Sequence, residues 1–412
     1  MLADGRLYES QRFPFRDGCF WAPHLEPLGQ GLTSTVRRCW LEEESGVRPL
    51  AMKECVVKAE IGFSTLETLS YETNYLAELQ HVPGVVRVDG PCLALPDRVI
   101  TFMSLLEGPT LSKVIEAGCH RADVNWLRHI ARQLCTVCTT VSGMHDCDVA
   151  WRDAKPDNLI CSSGIAPNPD LTAINLGFCY KTPADRRVFW GDLEMAGTPD
   201  YMAPETIAAA VDFDGMLVTE EDFFFSPMAA DWWSVGAVLF EAATGKALFG
   251  PSCSESNSTT SSDELAHDLA ATSKAKCNDS DDPDAHFMKI ARPIHQCHLQ
   301  WKEHGMEDVW QKVQQASHDP ALLSFLQHLL TQDPLQRSSG ALICQHPFLH
   351  MPDTTLVPSH PSQPVVSFLS GRPDESQLQQ VPGMPDVFWQ PAKPLGITGT
   401  GTINWLDRGG GF

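Results

Sequence analysis

Residues 149–160 read VAWRDAKPDNLI, the densest run of reactive groups in the chain. A carboxylate (Asp153), an ammonium (Lys155) and a carboxamide (Asn158) stand close together, with apolar residues closing the run at both ends. Upstream, LGQGLTSTV sets Gly29 and Gly31 in a strand–turn–strand context. Glycines at a hairpin tip let backbone amides approach phosphate oxygens, because no side chain intervenes. AMK then places Lys53 in an apolar strand, and Glu72 follows 19 positions later on a segment of helical spacing. A lysine in a buried strand needs a partner, and a helix glutamate across from it supplies one. Downstream stand INLGFC (174–179), GTPDYMAPE (197–205), DWWSVG (231–236), DPLQR (333–337) and HPFL (346–349).

The patterning around these strings is uneven. Residues 1–24 are mixed and aromatic-rich, a strand or strap lying on the next unit. From 25 to 110, short apolar runs alternate with turns: LEPLGQGLTSTVRRCWLE, PLAMKECVVK, VVRVDG and RVITFM read as strands. TLETLSYETNYLAELQ (65–80) breaks the pattern with apolar residues three and four apart, which predicts a helix capped by Ser64 or Thr65. The expectation is a five-strand sheet with one helix. After 111 the long apolar stripes of NWLRHIARQLCTVCTTVSGMH and DWWSVGAVLFEAATG predict helices, and helical patterning returns at 309–349. Residues 251–285 are Ser/Thr/Asp-rich, a solvated insert, and 350–412 is a Pro/Gly-rich tail.

Composition narrows the classes of function. The chain has 412 residues, 43% hydrophobic, with 30 Lys plus Arg against 52 Asp plus Glu, a net charge of -22. A surface that acidic repels phosphate backbones, so nucleic acid is disfavoured as a partner and basic peptides are favoured. No stretch approaches the roughly 18 apolar residues of a membrane span. MLADGRLYESQRFPF lacks the basic patch and apolar run of a signal peptide. Fourteen scattered cysteines read as thiols in a reducing compartment. An intracellular protein is expected, cytoplasmic or nuclear.

In their order, the strings resemble the eukaryotic protein-kinase family. VAWRDAKPDNLI is similar to the catalytic loop H-R-D-x-x-x-x-N, with Asp153, Lys155 and Asn158 at the matching positions. GTPDYMAPE looks like the end of an activation segment, and DWWSVG like the start of the central helix, where Asp231 would hold the catalytic-loop backbone. Arg337 of DPLQR would pair with Glu205. Lys155 is the form found in serine/threonine kinases. Trp151, with GTPDY and DWWSVG, is similar to the cyclic-nucleotide-dependent group, although that group's aromatic motif in the C-terminal tail is absent.

The resemblance implies an α+β class and a two-lobed protein-kinase fold: a small β-sheet plus helix N-lobe and a mainly helical C-lobe. It implies an N-terminal extension 1–24 and a kinase-like domain 25–349, with N-lobe 25–103, hinge 104–110, C-lobe 111–349 and tail 350–412. ATP with Mg²⁺ or Mn²⁺ is the implied cofactor, and a protein hydroxyl the implied substrate. Lys53, held by Glu72, would contact the α- and β-phosphates, beneath Gly29, Gly31 and Ser34. Asp153 would take the hydroxyl proton, Lys155 would neutralise the transferring phosphoryl group, and Asn158 would bind metal. Met103 would gate the adenine pocket, Ser104 to Leu106 would hydrogen-bond the base, and Val36, Ala51 and Ile160 would sandwich it. Asp157 would attract a basic substrate residue.

The family's Asp-Phe-Gly is replaced by Asn175-Leu176-Gly177. Leu176 is a mild change, since the position needs an apolar group between Leu76 and Trp151. Asn175 removes the principal metal carboxylate; an amide oxygen still coordinates a hard cation but brings no charge. The third loop glycine is Ser34, preceded by Thr33. Two readings stay open: a serine/threonine kinase with weakened or altered metal use, or a pseudokinase, nucleotide-binding or nucleotide-free, serving as scaffold or allosteric partner, of another kinase for example; a pure interaction module is the reading if no nucleotide binds at all. Asp170, five residues upstream of Asn175, is the candidate substitute carboxylate. Glu194 would pair with Arg152 in place of a phosphorylated residue, and Thr198 is read as structural. Cys135 and Cys138 read as buried thiols, and HQCH (295–298) as a partly exposed loop or helix start.

Overall fold

The computed structural model describes residues 10–15, 18–23, 27–31, 34–44, 46–57, 66–118, 120, 123–139, 143–162, 168–183, 185–189, 197–212, 224–249 and 283–353. Its first lobe is an antiparallel sheet of β1 (Ser10–Phe15), β2 (Gly18–Pro23), β3 (Gly29–Gln30), β4 (Ser34–Glu43), β5 (Gly46–Val56), β6 (Val88–Leu95) and β7 (Arg98–Ser104). The spatial order is β1-β2-β4-β5-β7-β6, with β3 also on β4. Helix α1 (Leu66–Glu78) joins β5 to β6; its expected caps Ser64 and Thr65 lie outside the described residues.

The five-strand expectation falls short because the aromatic-rich start of the chain is itself sheet. β1 and β2 form a hairpin, and β2 pairs with β4 at Trp21↔Trp40. β3 continues along the same edge at Gly29↔Val36, so β2 and β3 are two halves of one interrupted strand. VVRVDG is displaced as well: the strand begins at Val88 and runs on to Leu95, while Val85 bridges Ala173.

Side chains alternate across a strand. Cys39, Leu41, Leu50, Met52, Ile100 and Phe102 therefore pack together on one face of the sheet. Their neighbours Ala51, Lys53, Thr101 and Met103 point the other way, toward α1 and the second lobe, and all four are buried. On α1, Glu72, Thr73, Leu76 and Leu79 are buried, at the spacing that brings one helix face onto the sheet. The hydroxyls of Thr73 and Thr101 meet at 2.7 Å.

The second lobe is mainly helical: α2 (Leu111–Ala117), α3 (Val124–Cys138), α4 (Pro204–Asp212), α5 (Pro227–Thr244), α6 (Pro283–His304), α7 (Glu307–Ala316), α8 (Pro320–Leu329), α9 (Gly340–Cys344) and α10 (Pro347–His350). Three short antiparallel pairs cross it: β8 (Val149–Ala150) with β11 (Tyr180–Lys181), β9 (Leu159–Cys161) with β10 (Leu171–Ala173), and β12 (Val188–Phe189) with β13 (Phe224–Phe225). α5 is apolar on nearly every side and buried along its length, as a central helix must be. Ser226 caps its start with Pro227 in the first turn, and Gly245 ends it at φ 72. Arg337 donates to both carboxylate oxygens of Glu205 (2.7 and 2.9 Å) and to the carbonyls of Ala229 and Thr331. The two-lobed α+β fold is thus the one the motifs implied. Among the described residues no helix is long and apolar enough to cross a membrane. Of the expected insert 251–285 and tail 350–412, residues 251–282 and 354–412 lie outside the described residues, while 283–285 open α6 and His350 closes α10.

The cysteines of the CxxC are buried in α3. HQCH differs from its exposed reading: it lies inside α6 with His295, Cys297 and His298 buried. His298 sits among the rings of Trp233, Phe249 and Trp301, and its Nδ1 faces Gln332 Nε2 at 3.4 Å. Burial, followed by the nearby His295 and Arg337, pulls its pKa down from 6.5 to about 3. The unfolded chain therefore binds a proton there that the folded one refuses. Stability is retained above pH 6.5 and falls by about 1.4 kcal/mol per pH unit below it, toward pH 3. Urea unfolding between pH 7 and 4.5 measures the slope, and His298→Gln flattens it.

Candidate active site

The loop 151–158 is slung between β8 and β9 and is fixed from below by one carboxylate. Asp231 is fully buried and accepts from Trp151 N (2.8 Å), Arg152 N (2.7 Å) and His145 Nε2 (2.8 Å). With these bonds in place Arg152 is held at φ 68, in the left-handed region. The turn aims Asp153 into the cleft. Its Oδ1 accepts from Thr198 Oγ1 (2.8 Å), and Oδ2 accepts from Asn158 Nδ2 (2.7 Å) with Lys155 Nζ at 3.1 Å. Lys155 also donates to Thr198 Oγ1 at 2.6 Å. Thr198 reaches this position because Gly197, at φ 115, lets its backbone close on the loop; a Cβ there would lie 2.9 Å from Arg152 O.

On the opposite wall Lys53 Nζ bonds Glu72 at 2.7 Å, the pair almost wholly buried. The same carboxylate accepts from Leu176 N at 3.1 Å. Leu176 is buried in the core that also holds Leu76 and Trp151. Asn175 occupies φ 64, a conformation asparagine tolerates better than most residues. Its Oδ1 accepts from Lys53 at 3.1 Å, and its Nδ2 donates to Asn158 Oδ1 at 3.4 Å. Helix α1 has a second tie: Lys181 of β11 donates its N–H to Tyr75 Oη (3.0 Å) and pairs its ammonium with Glu78.

The groups expected around a nucleotide lie as follows. Val36 is opposite Lys53, and Ala51 opposite Met103, across the sheet register. Ile160 bridges Thr110, and Cys161 N donates to Pro109 O (2.9 Å), which brings β9 under the connection between the lobes. Ser104 N donates to Arg87 O (2.9 Å) and its hydroxyl to Asp89 (2.9 Å), while Leu106 is half-buried. Gly31 N donates to Ser34 O (2.8 Å) in the tight turn between β3 and β4, where a Cβ on Gly31 would come within 3.0 Å of Ser34 Oγ. Asp170 is exposed just before β10, at the end of the β9–β10 pair away from Asn175, and does not stand in for the missing carboxylate. Thr33 and Glu194 lie outside the described residues.

The cleft carries two lysines, Lys53 and Lys155, each beside one carboxylate. It suits a divalent metal poorly. The oxygens of Asn158 and Asn175 are uncharged and already accept hydrogen bonds. Among the described residues no group of three or more His, Cys, Asp or Glu is placed to hold an ion.

Motif reading missed the Thr198–Asp153–Lys155 cluster and the Lys181 tie, because both are contacts between distant segments. It also missed Tyr201, whose hydroxyl donates to Glu241 at 2.6 Å. Burial raises the Glu241 carboxyl pKa, with Asp157, Asp200 and Glu116 adding to the effect, and burial raises Asp200 as well. These acids lie beside the catalytic loop.

The sequence model described as protein kinase domain matches residues 23–349. Among curated proteins the chain is similar to mouse myosin light chain kinase family member 4, 22% identical over 57% of this chain and 52% of the relative. It is 29% identical to serine/threonine-protein kinase PkaA of Streptomyces coelicolor, over 55% and 39%, and 25% identical to mouse serine/threonine-protein kinase ULK3, over 54% and 42%. The matches thus span about half the length, or less, of these relatives. With the family's sequence pattern covering most of the chain and its loop, lysine–glutamate pair and central-helix aspartate gathered at one cleft, the chain belongs to the protein kinase domain family.

Proposed function

We propose that the chain binds ATP between its lobes and transfers the γ-phosphoryl group to serine or threonine hydroxyls of protein substrates. The observation that carries this reading is the shared carboxylate of Glu72. It holds the phosphate-facing Lys53 and the Leu176 amide at once, so α1, the sheet and the 175–177 segment are assembled together. The adenine lies between Val36, Ala51 and Ile160 and bonds the backbone of Ser104 to Leu106. Asp153 orients the attacking hydroxyl and takes its proton as the oxygen–phosphorus bond forms. The bond from the γ-phosphorus to the bridging oxygen breaks, and ADP leaves. Lys155 and Lys53 offset the phosphate charge. Asp157, Asp200 and Glu241 favour a substrate with basic residues near the acceptor. Serine/threonine choice rests on Lys155 and on the names of the relatives; the finer likeness to the cyclic-nucleotide-dependent group rests on Trp151, GTPDY and DWWSVG.

One observation favours a second reading, a pseudokinase that binds nucleotide and acts as scaffold or partner of another kinase: the amide at Asn175. A labelled-ATP transfer assay on basic serine/threonine peptides, run beside ATP titration calorimetry, tests both. Transfer with binding supports the enzyme, binding without transfer supports the pseudokinase, and no binding in any buffer overturns both.

A further inference from the structure

Four side chains in the cleft form one directed chain of hydrogen bonds. An ammonium only donates, so the Lys53 contact fixes Asn175 Oδ1 as acceptor and turns its Nδ2 toward Asn158 Oδ1. Asn158 in turn directs its Nδ2 to Asp153, bonding the backbone oxygen at 2.8 Å and Oδ2 at 2.7 Å. The last acceptor, Asp153 Oδ1, takes the Thr198 hydroxyl. The relay Lys53–Asn175–Asn158–Asp153 thus runs through two neutral amides, with its formal charges at the ends. Each lysine facing the cleft has one carboxylate, Glu72 for Lys53 and Asp153 for Lys155.

A carboxylate at position 175 would face the phosphates as a second anion, and a divalent cation would be required to bridge the two. Two like charges brought this close in a partly buried cleft repel each other. The amide at 175 removes the repulsion and, with it, the need for a bridge. We propose that this cleft holds the nucleotide's phosphates without ligating a divalent cation, their charge being met by Lys53 and Lys155. The inference rests on the reading that the cleft takes ATP, and deepens it by naming free ATP, as well as its magnesium complex, as ligand. Coupling between two ligands is reciprocal. If the protein contributes no ligand to the metal, the metal does not tighten the protein's hold on the nucleotide, and by neutralising phosphate charge that Lys53 and Lys155 would meet it can only loosen that hold.

Titration calorimetry of the full chain with ATP, once in excess EDTA and once in excess Mg²⁺, reads this directly. Mg²⁺ is expected to leave the dissociation constant within about threefold of its EDTA value or to raise it; a tightening by Mg²⁺ of more than about threefold overturns the inference and leaves ATP binding itself intact. Asn175→Asp supplies the converse. In that variant, affinity in EDTA is expected to fall about tenfold or more relative to wild type, and Mg²⁺ to restore it. A variant that melts as wild type does and shows no metal dependence overturns the inference as well. Absence of any ATP binding by wild type in either buffer overturns the nucleotide reading, and this inference with it.

Discussion

Replacing Asp153 with asparagine lowers phosphoryl transfer by about 10²–10⁴-fold, the range by which a positioned general base contributes. The reason lies in what surrounds it. Thr198 and Asn158 each donate to one of its oxygens, and Lys155 stands 3.1 Å from the second, so the carboxylate is oriented. An asparagine of the same shape keeps part of that geometry but cannot take a proton. It also leaves Lys155 without its carboxylate, so the cation turns more fully to the phosphates. ATP affinity should therefore hold or improve while the turnover number collapses, a loss in kcat without a rise in KM for nucleotide. Single-turnover transfer with labelled ATP, paired with calorimetry, separates the two. Equal loss in both would point to a collapsed site, and unchanged transfer would remove Asp153 from the mechanism.

Arg337→Ala destabilises the fold by about 3–5 kcal/mol, the cost of removing one member of a buried ion pair. Arg337 is buried beneath α5, where its guanidinium lies 5.4 Å over the Trp233 ring. Its loss leaves the Glu205 carboxylate with no cation and the Ala229 and Thr331 carbonyls without their donor. Glu205 lies in the first turn of α4, a few residues after the Pro199–Tyr201 turn that follows Thr198. Chemical unfolding gives the stability change, and the double variant Arg337→Met with Glu205→Gln should recover much of it by removing the orphaned charge. A fall below about 1 kcal/mol for the single variant would place the pair among the weak, solvated ones.

The two lobes were legible because each motif marks a turn or a buried contact that few other residues satisfy. Lys53 and Glu72 stand out by type and spacing, and Asp153, Asn158 and Asp231 by the resemblance of their strings to the family's; the structure sets the first four around one cleft and Asp231 beneath its loop. What stayed hidden was pairing between segments far apart in the chain. β2 could not be seen as half of a strand, since its partner β4 begins only after a turn and the short β3. HQCH was misjudged because its polar letters outweighed its place on a helix whose other residues bury it. Thr198 reads as structural in the sequence, and its bonds to Asp153 and Lys155 are visible only once Gly197 brings the backbone in. The departure at Asn175 was visible at once, yet its consequence needed the Lys53 contact, which spans 122 positions.

The tie between Lys181 and α1 links two parts usually thought of separately. β11 pairs with β8, and β8 runs straight into Trp151, the first residue of the loop that carries Asp153. The Tyr75 hydroxyl accepts the amide of the same residue whose ammonium meets Glu78, so α1 is bolted to the β-pair at two points on one side and to Lys53 on the other. Swinging the helix outward would strain a strand that shares its backbone with the reactive loop. The upper wall of the cleft and the loop on its floor are therefore connected through one short β-pair, independently of the Lys53–Glu72 bond.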